Sequence, residues 1–520
     1  MRKHTLTHSK LVQMATFRRA LRDLSRWRLP FEDESRIRDL LKQVTRTPAG
    51  DDVLPAALCL KLTSTYHTLR PSGRLGFISV LAQFGVRDTE VQRCADNLVH
   101  ARSREPVPRL QAQLSLREAL VPRHEQVAQR IAQQPGGLSF LVTMRADLLS
   151  ALAGTLVDDS GTSVPEAPAA AAEEPDATRA HLRSLDESLR GLLGVWFGSG
   201  LLDLHELRWE STPAALLDRV VAYERVHPMP GGLADLRRRL GPQRCAFAFV
   251  HPHMPLEPLV FVQVALLSRV ASHLHDVLPP ADDGAAAEPQ PTPANDAPPS
   301  VAIFYSISSP FTGLRGVPLG RLLIKRVAAT LAQQHANLRT FATLSPIPGF
   351  RRWLQARLAL LDNGAAAAAA AASDGRFVSA DEHAALSSLQ AALDLVQMEP
   401  AALFAPRDDA AVATRAKGQV EGEAAVAAAM LRLCARYLLL EKKRQQALDP
   451  VAAFHLRNGA TLHALHWDAN PTPRGRRESG GIMVNYVYEL ETIERNHSAY
   501  IASGEVAASE RVRALLAHRN

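Results

Sequence analysis

A chain of 520 residues exceeds what one hydrophobic core usually organises, so two domains are expected. Its formal net charge of +7 points to an anionic partner, but the charges of both signs are interspersed, and an aromatic content of 5% without a nucleic-acid motif argues against base-stacking platforms. No apolar run approaches the roughly 18 residues of a membrane span, and Cys59, Cys94, Cys245 and Cys434 form neither a CxxC pair nor a Cys/His cluster at metal-ligand spacing. The expectation is a soluble protein with no nucleic-acid, membrane or metal partner.

The first 22 residues contain no acid and carry Arg2, Lys3, Lys10, Arg18, Arg19 and Arg22 among Leu11, Met14, Phe17 and Leu21. Because the pattern runs on into Trp27 without a cleavage-like break, a first surface helix is favoured, and with it a cytoplasmic protein. Read as a presequence, the same stretch would send the chain to the mitochondrial matrix.

From 8 to 157, apolar residues recur at helical spacing and β-branched alternation is nearly absent, as in Leu75-Gly-Phe-Ile-Ser-Val-Leu-Ala-Gln-Phe84. Residues 1–157 therefore read as an all-helical domain. Residues 158–178, rich in Pro, Ala and Glu, read as a mobile linker or insertion. After a helical return over 182–197 the periodicity changes. Strand signals appear at 244–250, 259–266, 301–308, 339–344, 460–467 and 482–490, with a helix over 319–335. Residues 179–520 form an α+β domain in this reading, interrupted by surface insertions at 279–300 and 363–375.

Three segments of that domain carry chemistry. The strand Val301-Ala-Ile-Phe-Tyr-Ser-Ile-Ser308 is followed by Gly313-Leu-Arg-Gly-Val-Pro-Leu-Gly320 and then a helix, the order that presents backbone N–H groups and a positive helix end to a phosphate. Gly313, Gly316 and Gly320 would permit close approach, and Arg315, Arg321, Lys325 and Arg326 supply charge. A plain surface turn is the bland alternative, and the lack of Lys-Ser/Thr after the last glycine excludes a nucleotide-triphosphate loop. In Leu344-Ser-Pro-Ile-Pro-Gly-Phe350, two prolines make a rigid exit from a strand that would aim the hydroxyl of Ser345. In Asp449-Pro-Val-Ala-Ala-Phe-His-Leu-Arg-Asn-Gly-Ala460, His455 sits in Asn/Gly-punctuated sequence where a turn would expose it.

Together these segments resemble the malonyl-CoA decarboxylase family. The Ser345 heptapeptide matches the family's Ser motif in full, and the His455 segment matches its His motif apart from variation such as Asp449, where the family pattern has Asn. The resemblance extends over 140–509 and includes Val226-His-Pro-Met229, Arg239-Leu-Gly-Pro242, Glu257-Pro-Leu-Val260, Leu431-Arg-Leu-Cys434 and Asn485-Tyr-Val-Tyr488. It implies a helical domain that mediates homo-oligomerisation, most simply as a tetramer, ahead of a GNAT-type acyltransferase-like catalytic domain. It further implies decarboxylation of malonyl-CoA without a cofactor. Ser345 and His455 would be the catalytic pair, with Ser306 and Tyr488 as substrate orienters and Arg315, Gly316, Val317, Pro318, Leu319, Gly320 and Arg321 as the CoA-binding loop. One departure is Pro318, where animal members carry Glu. The rival readings are a GNAT-type acyl-CoA N-acyltransferase, a Ser hydrolase, and a non-catalytic acyl-CoA-sensing scaffold; Ser345 lacks a Gly-x-Ser-x-Gly elbow.

Overall fold

The computed structural model describes residues 31–46, 53–101, 106–153, 175–198, 200–278, 298–362, 380–395, 398–405, 417–489 and 491–516. The basic N-terminal stretch, most of the expected linker, most of the 279–300 insertion and the alanine run lie outside these residues. The chain forms two compact units, the first comprising Met1–Asp203 with Phe249–Leu259 and Ser309–Leu319 and the second comprising the remainder.

In the first unit the described helices are α1 (Phe31–Arg46), α2 (Val53–Thr68), α3 (Pro71–Ala82), α4 (Asp88–His100), α5 (Pro106–Ala119), α6 (Arg123–Ala132), α7 (Gly137–Ala153) and α8 (Pro175–Trp196). Helix α6 shows why: His124, Val127, Ala128, Ile131 and Ala132 fall on one stripe of a 3.6-residue period, and all are buried. Tyr66 on α2 donates to Asp147 on α7 at 2.6 Å, giving its buried ring a polar anchor. Helix α5 buries no residue. The segment 309–319 also belongs to this unit, and its single 3-10 turn, Thr312–Leu314, packs on α7. A Cβ at Gly313 would stand 1.8 Å from Val142 O, so the absence of a side chain there lets loop and helix meet.

The second unit is built on a seven-stranded sheet in the order β1 (Asp203–Leu207), β2 (Arg244–Val250), β3 (Val260–Leu267), β4 (Val301–Ser308), β5 (Thr340–Thr343), β9 (Met483–Tyr488) and β8 (Thr461–His466). Strands β6 (Lys442–Lys443) and β7 (Gln446–Ala447) form a separate hairpin. Strand β4 is antiparallel to β3 and parallel to β5, and β9 is antiparallel to both β5 and β8. Its helices are α9 (Ala214–Tyr223), α10 (Leu233–Arg239), α11 (Leu274–Val277), α12 (Leu319–Gln334), α13 (Phe350–Asp362), α14 (Ala380–Leu395), α15 (Lys417–Leu440), α16 (Pro450–Arg457), α17 (Pro473–Ser479), α18 (Ile493–Ser503) and α19 (Glu510–Ala514). One sheet face carries the core of Ile303, Tyr305, Ala342, Leu344, Met483 and Val487.

The expected helical domain ahead of a mixed-sheet domain is thus what the chain forms. Each strand signal in the sequence falls on an observed strand, and the expected helix over 319–335 is α12. The segment after Asp449 differs from expectation: it is helix α16, not a turn.

Parallel strands need a crossover, which α12 provides between β4 and β5. Their ladder stops at the Phe304–Thr343 pair, while β4 runs on to Ser308 and the chain beyond β5 turns to β9 instead. Open sheets bind ligands where neighbouring strands part at their carboxyl ends, and Ser345 lies two residues past that point.

Candidate active site

Beyond β5, the Ser345 N–H donates to Val484 O at 2.8 Å and the Val484 N–H donates back to Ser345 O at 3.0 Å. This bridge fixes the serine backbone before Pro346 ends sheet pairing. Residues two apart in extended chain share a face, so the Thr343 and Ser345 hydroxyls are neighbours. Ser345 Oγ donates to Thr343 Oγ1 at 2.9 Å, and the Tyr486 N–H donates to the same oxygen at 3.2 Å.

The Asp449-Pro450 step starts α16 as an acidic N-cap followed by proline at the first helical position. Asp449 Oδ1 accepts the N–H groups of Val451 and Ala452 at 2.9 and 3.0 Å. Its Oδ2 accepts the Gly349 N–H at 3.2 Å and the Tyr437 hydroxyl at 3.5 Å. One carboxylate therefore holds both the turn that follows Ser345 and the helix that carries His455. Burial pushes the Asp449 pKa up, and the N–H donors of Ala452, Gly349 and Val451 oppose that rise. No side chain fits at Gly349, where a Cβ would come within 2.1 Å of Tyr437 Oη.

His455 occupies the last turn of α16 and is 3% exposed, which corrects the expectation of an exposed turn histidine. Its Nε2 lies 3.3 Å from Ser345 Oγ and its Nδ1 lies 2.7 Å from Tyr488 Oη. The imidazole stacks on Tyr486 with ring centroids 4.6 Å apart and planes inclined by 21°. Alternation along β9 turns Tyr486 and Tyr488 to the same face, so the strand supplies both the stacking ring and the hydroxyl. Burial drives the His455 pKa down to about 3, and the imidazole is neutral at pH 7. Burial also pushes the Tyr488 phenol up, so it keeps its proton.

The structure therefore brings Ser345, His455 and Tyr488 together. It places Ser306 in a different polar cluster, around Glu224. Glu224, 5% exposed at the C-terminal end of α9, accepts Ser306 Oγ at 2.7 Å, Ser308 Oγ at 3.2 Å, Gln263 Nε2, and the N–H groups of Val226 and His227 at 2.7 and 2.9 Å. A buried carboxylate with this many donors is fully compensated. Sequence reasoning missed Glu224, although it stands two residues before the Val226-His-Pro-Met229 segment. It also missed Thr343, Tyr437 and the bridging function of Asp449; the Asp-Pro helix start was the available signal for the last.

In the expected CoA loop, Arg315, Gly316 and Pro318 are exposed, Val317, Gly320 and Arg321 are half-buried, and Leu319 is buried. The N–H groups of Arg315, Val317 and Leu319 donate to Thr312 O, Leu314 O and Val317 O. Gly316 has a φ of 87°, a left-handed conformation that glycine adopts without strain. The other two glycines make room for protein: Gly313 for α7, and Gly320 for Phe454, whose ring edge would lie 2.9 Å from a Cβ. In the second unit a cleft of about 250 Å³ is lined by Arg321, Ile324, Ala328, Phe341, Asn458 and Tyr488, so the phenol that touches His455 also faces a cavity with a cationic residue on its wall.

His455 is thus a buried neutral imidazole with a hydroxyl at each ring nitrogen, an arrangement able to take up and release protons. Residues 84–197 match the malonyl-CoA decarboxylase N-terminal domain, and residues 200–520 match the malonyl-CoA decarboxylase C-terminal domain. The chain belongs to the malonyl-CoA decarboxylase family. It is 35% identical over 487 residues to the mitochondrial malonyl-CoA decarboxylase of Mus musculus, covering 92% of this chain and 87% of that protein. The Rattus norvegicus protein is 34% identical over 481 residues, with the same coverage. The crystal structure of malonyl-CoA decarboxylase from Rhodopseudomonas palustris superposes with a TM-score of 0.70 at 30% identity, covering 92% of this chain and 99% of that one. The structure from Agrobacterium vitis gives 0.70 at 30% identity, covering 93% and 100%.

Two outcomes follow from this geometry. Asp449→Ala removes the cap and the bridge together, so it should cost about 1–2 kcal/mol of stability and lower kcat. Asp449→Asn keeps an acceptor for the helix and should lose less of both, as read by thermal melting and steady-state rates. The second concerns pH. His455 and His227 are both held by burial at about 3, against 6.5 for a free side chain. The unfolded chain therefore binds more protons than the fold between those values, and stability is lost as pH falls from about 6.5 toward 3. The slope of Tm against pH in that window should flatten in His455→Gln.

Proposed function

We propose that this protein decarboxylates malonyl-CoA to acetyl-CoA and CO2, with Ser345 and His455 as the reacting pair. The observation that carries the reading is the 3.3 Å approach of His455 Nε2 to Ser345 Oγ at the end of parted parallel strands. A malonyl thioester contains its own electron sink. When the bond between C2 and the carboxylate breaks, its electron pair is delocalised onto the thioester oxygen as an enolate, so no cofactor is called for.

The protein's work is then to orient the carboxylate, stabilise the oxyanion and protonate C2. Tyr488, keeping its proton, donates to Nδ1, which leaves the proton of the neutral ring on Nε2, facing Ser345. Entry of the malonyl carboxylate beside the ring favours a second proton, taken from solvent onto Nδ1, to which Tyr488 Oη then turns as acceptor. The C-terminal end of α16, where His455 sits, favours the cation further. When CO2 leaves, the imidazolium gives its Nε2 proton to C2, and Ser345 Oγ–H donates to the carboxylate and then to the enolate oxygen. One aimed donor to an oxyanion contributes about 3–4 kcal/mol. Ser306, tied to Glu224, orients the substrate from the β4 side.

The loop of Arg315, Gly316, Val317, Pro318, Leu319, Gly320 and Arg321 binds the diphosphate of CoA in this reading. Support comes from the left-handed Gly316, the start of α12 at Leu319 and the guanidinium groups of Arg315 and Arg321. A reducing compartment, cytoplasm or mitochondrial matrix, suits the four free cysteines. Among the described residues, no helix is long and apolar enough to cross a membrane.

A homo-oligomer, with a tetramer as the family resemblance implies, is supported by exposed apolar side chains on the α4–α5 hairpin. Val99, Val107, Leu110 and Leu114 are all exposed, and α5 buries none of its residues.

His455→Ala should lower kcat by about 10²-fold or more with little change in CoA affinity, as measured by CO2 release and by equilibrium binding of acetyl-CoA. Turnover near that of the wild type would remove His455 from the reaction. Leu110→Glu with Leu114→Glu should lower the solution mass measured by light scattering, and an unchanged mass would place the subunit contact elsewhere.

A further inference from the structure

The helical unit carries a buried arginine whose hydrogen bonds leave that unit's helices for the loop 309–319. Arg145 on α7 is 2% exposed. Its Nε donates to Asp186 Oδ1 on α8 at 2.8 Å, and its Nη1 donates to Gly313 O at 2.6 Å and Arg315 O at 2.8 Å. A buried guanidinium is tolerated only when paired and hydrogen-bonded. Asp186, one-quarter exposed, is the counterion, and the two carbonyls take the Nη1 donors.

The consequence lies in the peptide plane. C=O and N–H of one trans peptide point in opposite directions. With the Arg315 carbonyl drawn inward to Arg145, the N–H of Gly316 is turned outward. The same inward pull removes a carbonyl dipole that would otherwise repel an anion from the loop. Close packing locks the arrangement, since Gly313 lies against Val142 O and a Cβ at Gly316 would lie 3.2 Å from the stem of Arg190 on α8. The Arg315 side chain itself projects into solvent.

We propose that Arg145, held by Asp186, is a positioning residue for substrate: it sets the Arg315–Gly316 peptide so that its N–H and the Arg315 guanidinium meet the diphosphate of CoA. The helical domain thereby contributes to substrate affinity as well as to assembly. This inference rests on the reading of 315–321 as the CoA loop.

The test compares malonyl-CoA with malonyl-pantetheine, which carries the reacting head and lacks the diphosphate, in Arg145→Lys, Asp186→Asn and Arg315→Ala. Loss of hydrogen bonds to a charged group should raise KM for malonyl-CoA by about tenfold or more in Arg145→Lys and Asp186→Asn. Their kcat should stay close to the wild-type value, and kcat/KM for malonyl-pantetheine should be unchanged. A lysine offers a compact ammonium in place of the planar fork, so it should not reproduce the aligned bonds to Asp186, Gly313 and Arg315. If Arg315→Ala separates the two substrates while Arg145→Lys and Asp186→Asn do not, or if they weaken both substrates equally, Arg145 serves packing alone and the proposal is overturned. If Arg315→Ala also fails to separate them, the CoA-loop reading falls and takes the proposal with it. Should Arg145→Lys fail to fold, as judged by circular dichroism, the milder Asp186→Asn decides.

Discussion

The candidate site depends on one buried carboxylate that holds two backbone segments a hundred residues apart. Asp449 begins α16 by accepting two N–H groups of its first turn and, with its other oxygen, accepts the N–H of Gly349 from the turn after Ser345. Neither segment would fix the other alone: the turn is short, and a helix of eight residues is marginal in isolation. Tied together, and backed by the Val484 bridge and the Tyr486 ring, they bring an imidazole and a hydroxyl to 3.3 Å. A group that holds the backbone of both segments determines how precisely the hydroxyl and the ring are placed.

Burial then sets the protonation state. A histidine among Phe454, Tyr486 and Tyr488 gains little from solvent or from a neighbouring carboxylate, and its pKa falls to about 3. The ring is held neutral between two hydroxyls. On the other side of the parted strands the same fold handles an acid differently, giving Glu224 donors from β4, β3 and the backbone after α9. The first site thus keeps a titratable group with few partners, while the second surrounds its carboxylate with donors.

Much of this was legible in the chain. The strand runs 244–250 and 301–308 were found to the residue because buried strands are written in contiguous apolar sequence, and α12 was found from its apolar stripe. Ser345 and His455 were legible as a pair through motif resemblance, since they are distant in sequence and their meeting depends on sheet order. Asn458 and Gly459 suggest a turn around His455 in the sequence, whereas they terminate α16 after an Asp-Pro start. Glu224 and Arg145 were invisible for a different reason. Each is a single charged residue on an otherwise ordinary helix end or helix face, and only the chain crossing from far in the sequence shows what each holds. The glycines of the loop, assigned to phosphate from their pattern, are divided between backbone conformation at Gly316 and close packing at Gly313 and Gly320.

Mass spectrometry of the products formed from malonyl-CoA in heavy water addresses the central claim most directly. An enolate protonated at C2 by an exchangeable imidazole predicts acetyl-CoA with one deuterium in its methyl group, the thioester intact and CO2 released. Free CoA thiol with malonate would instead mean that Ser345 and His455 serve hydrolysis, and would contradict the account.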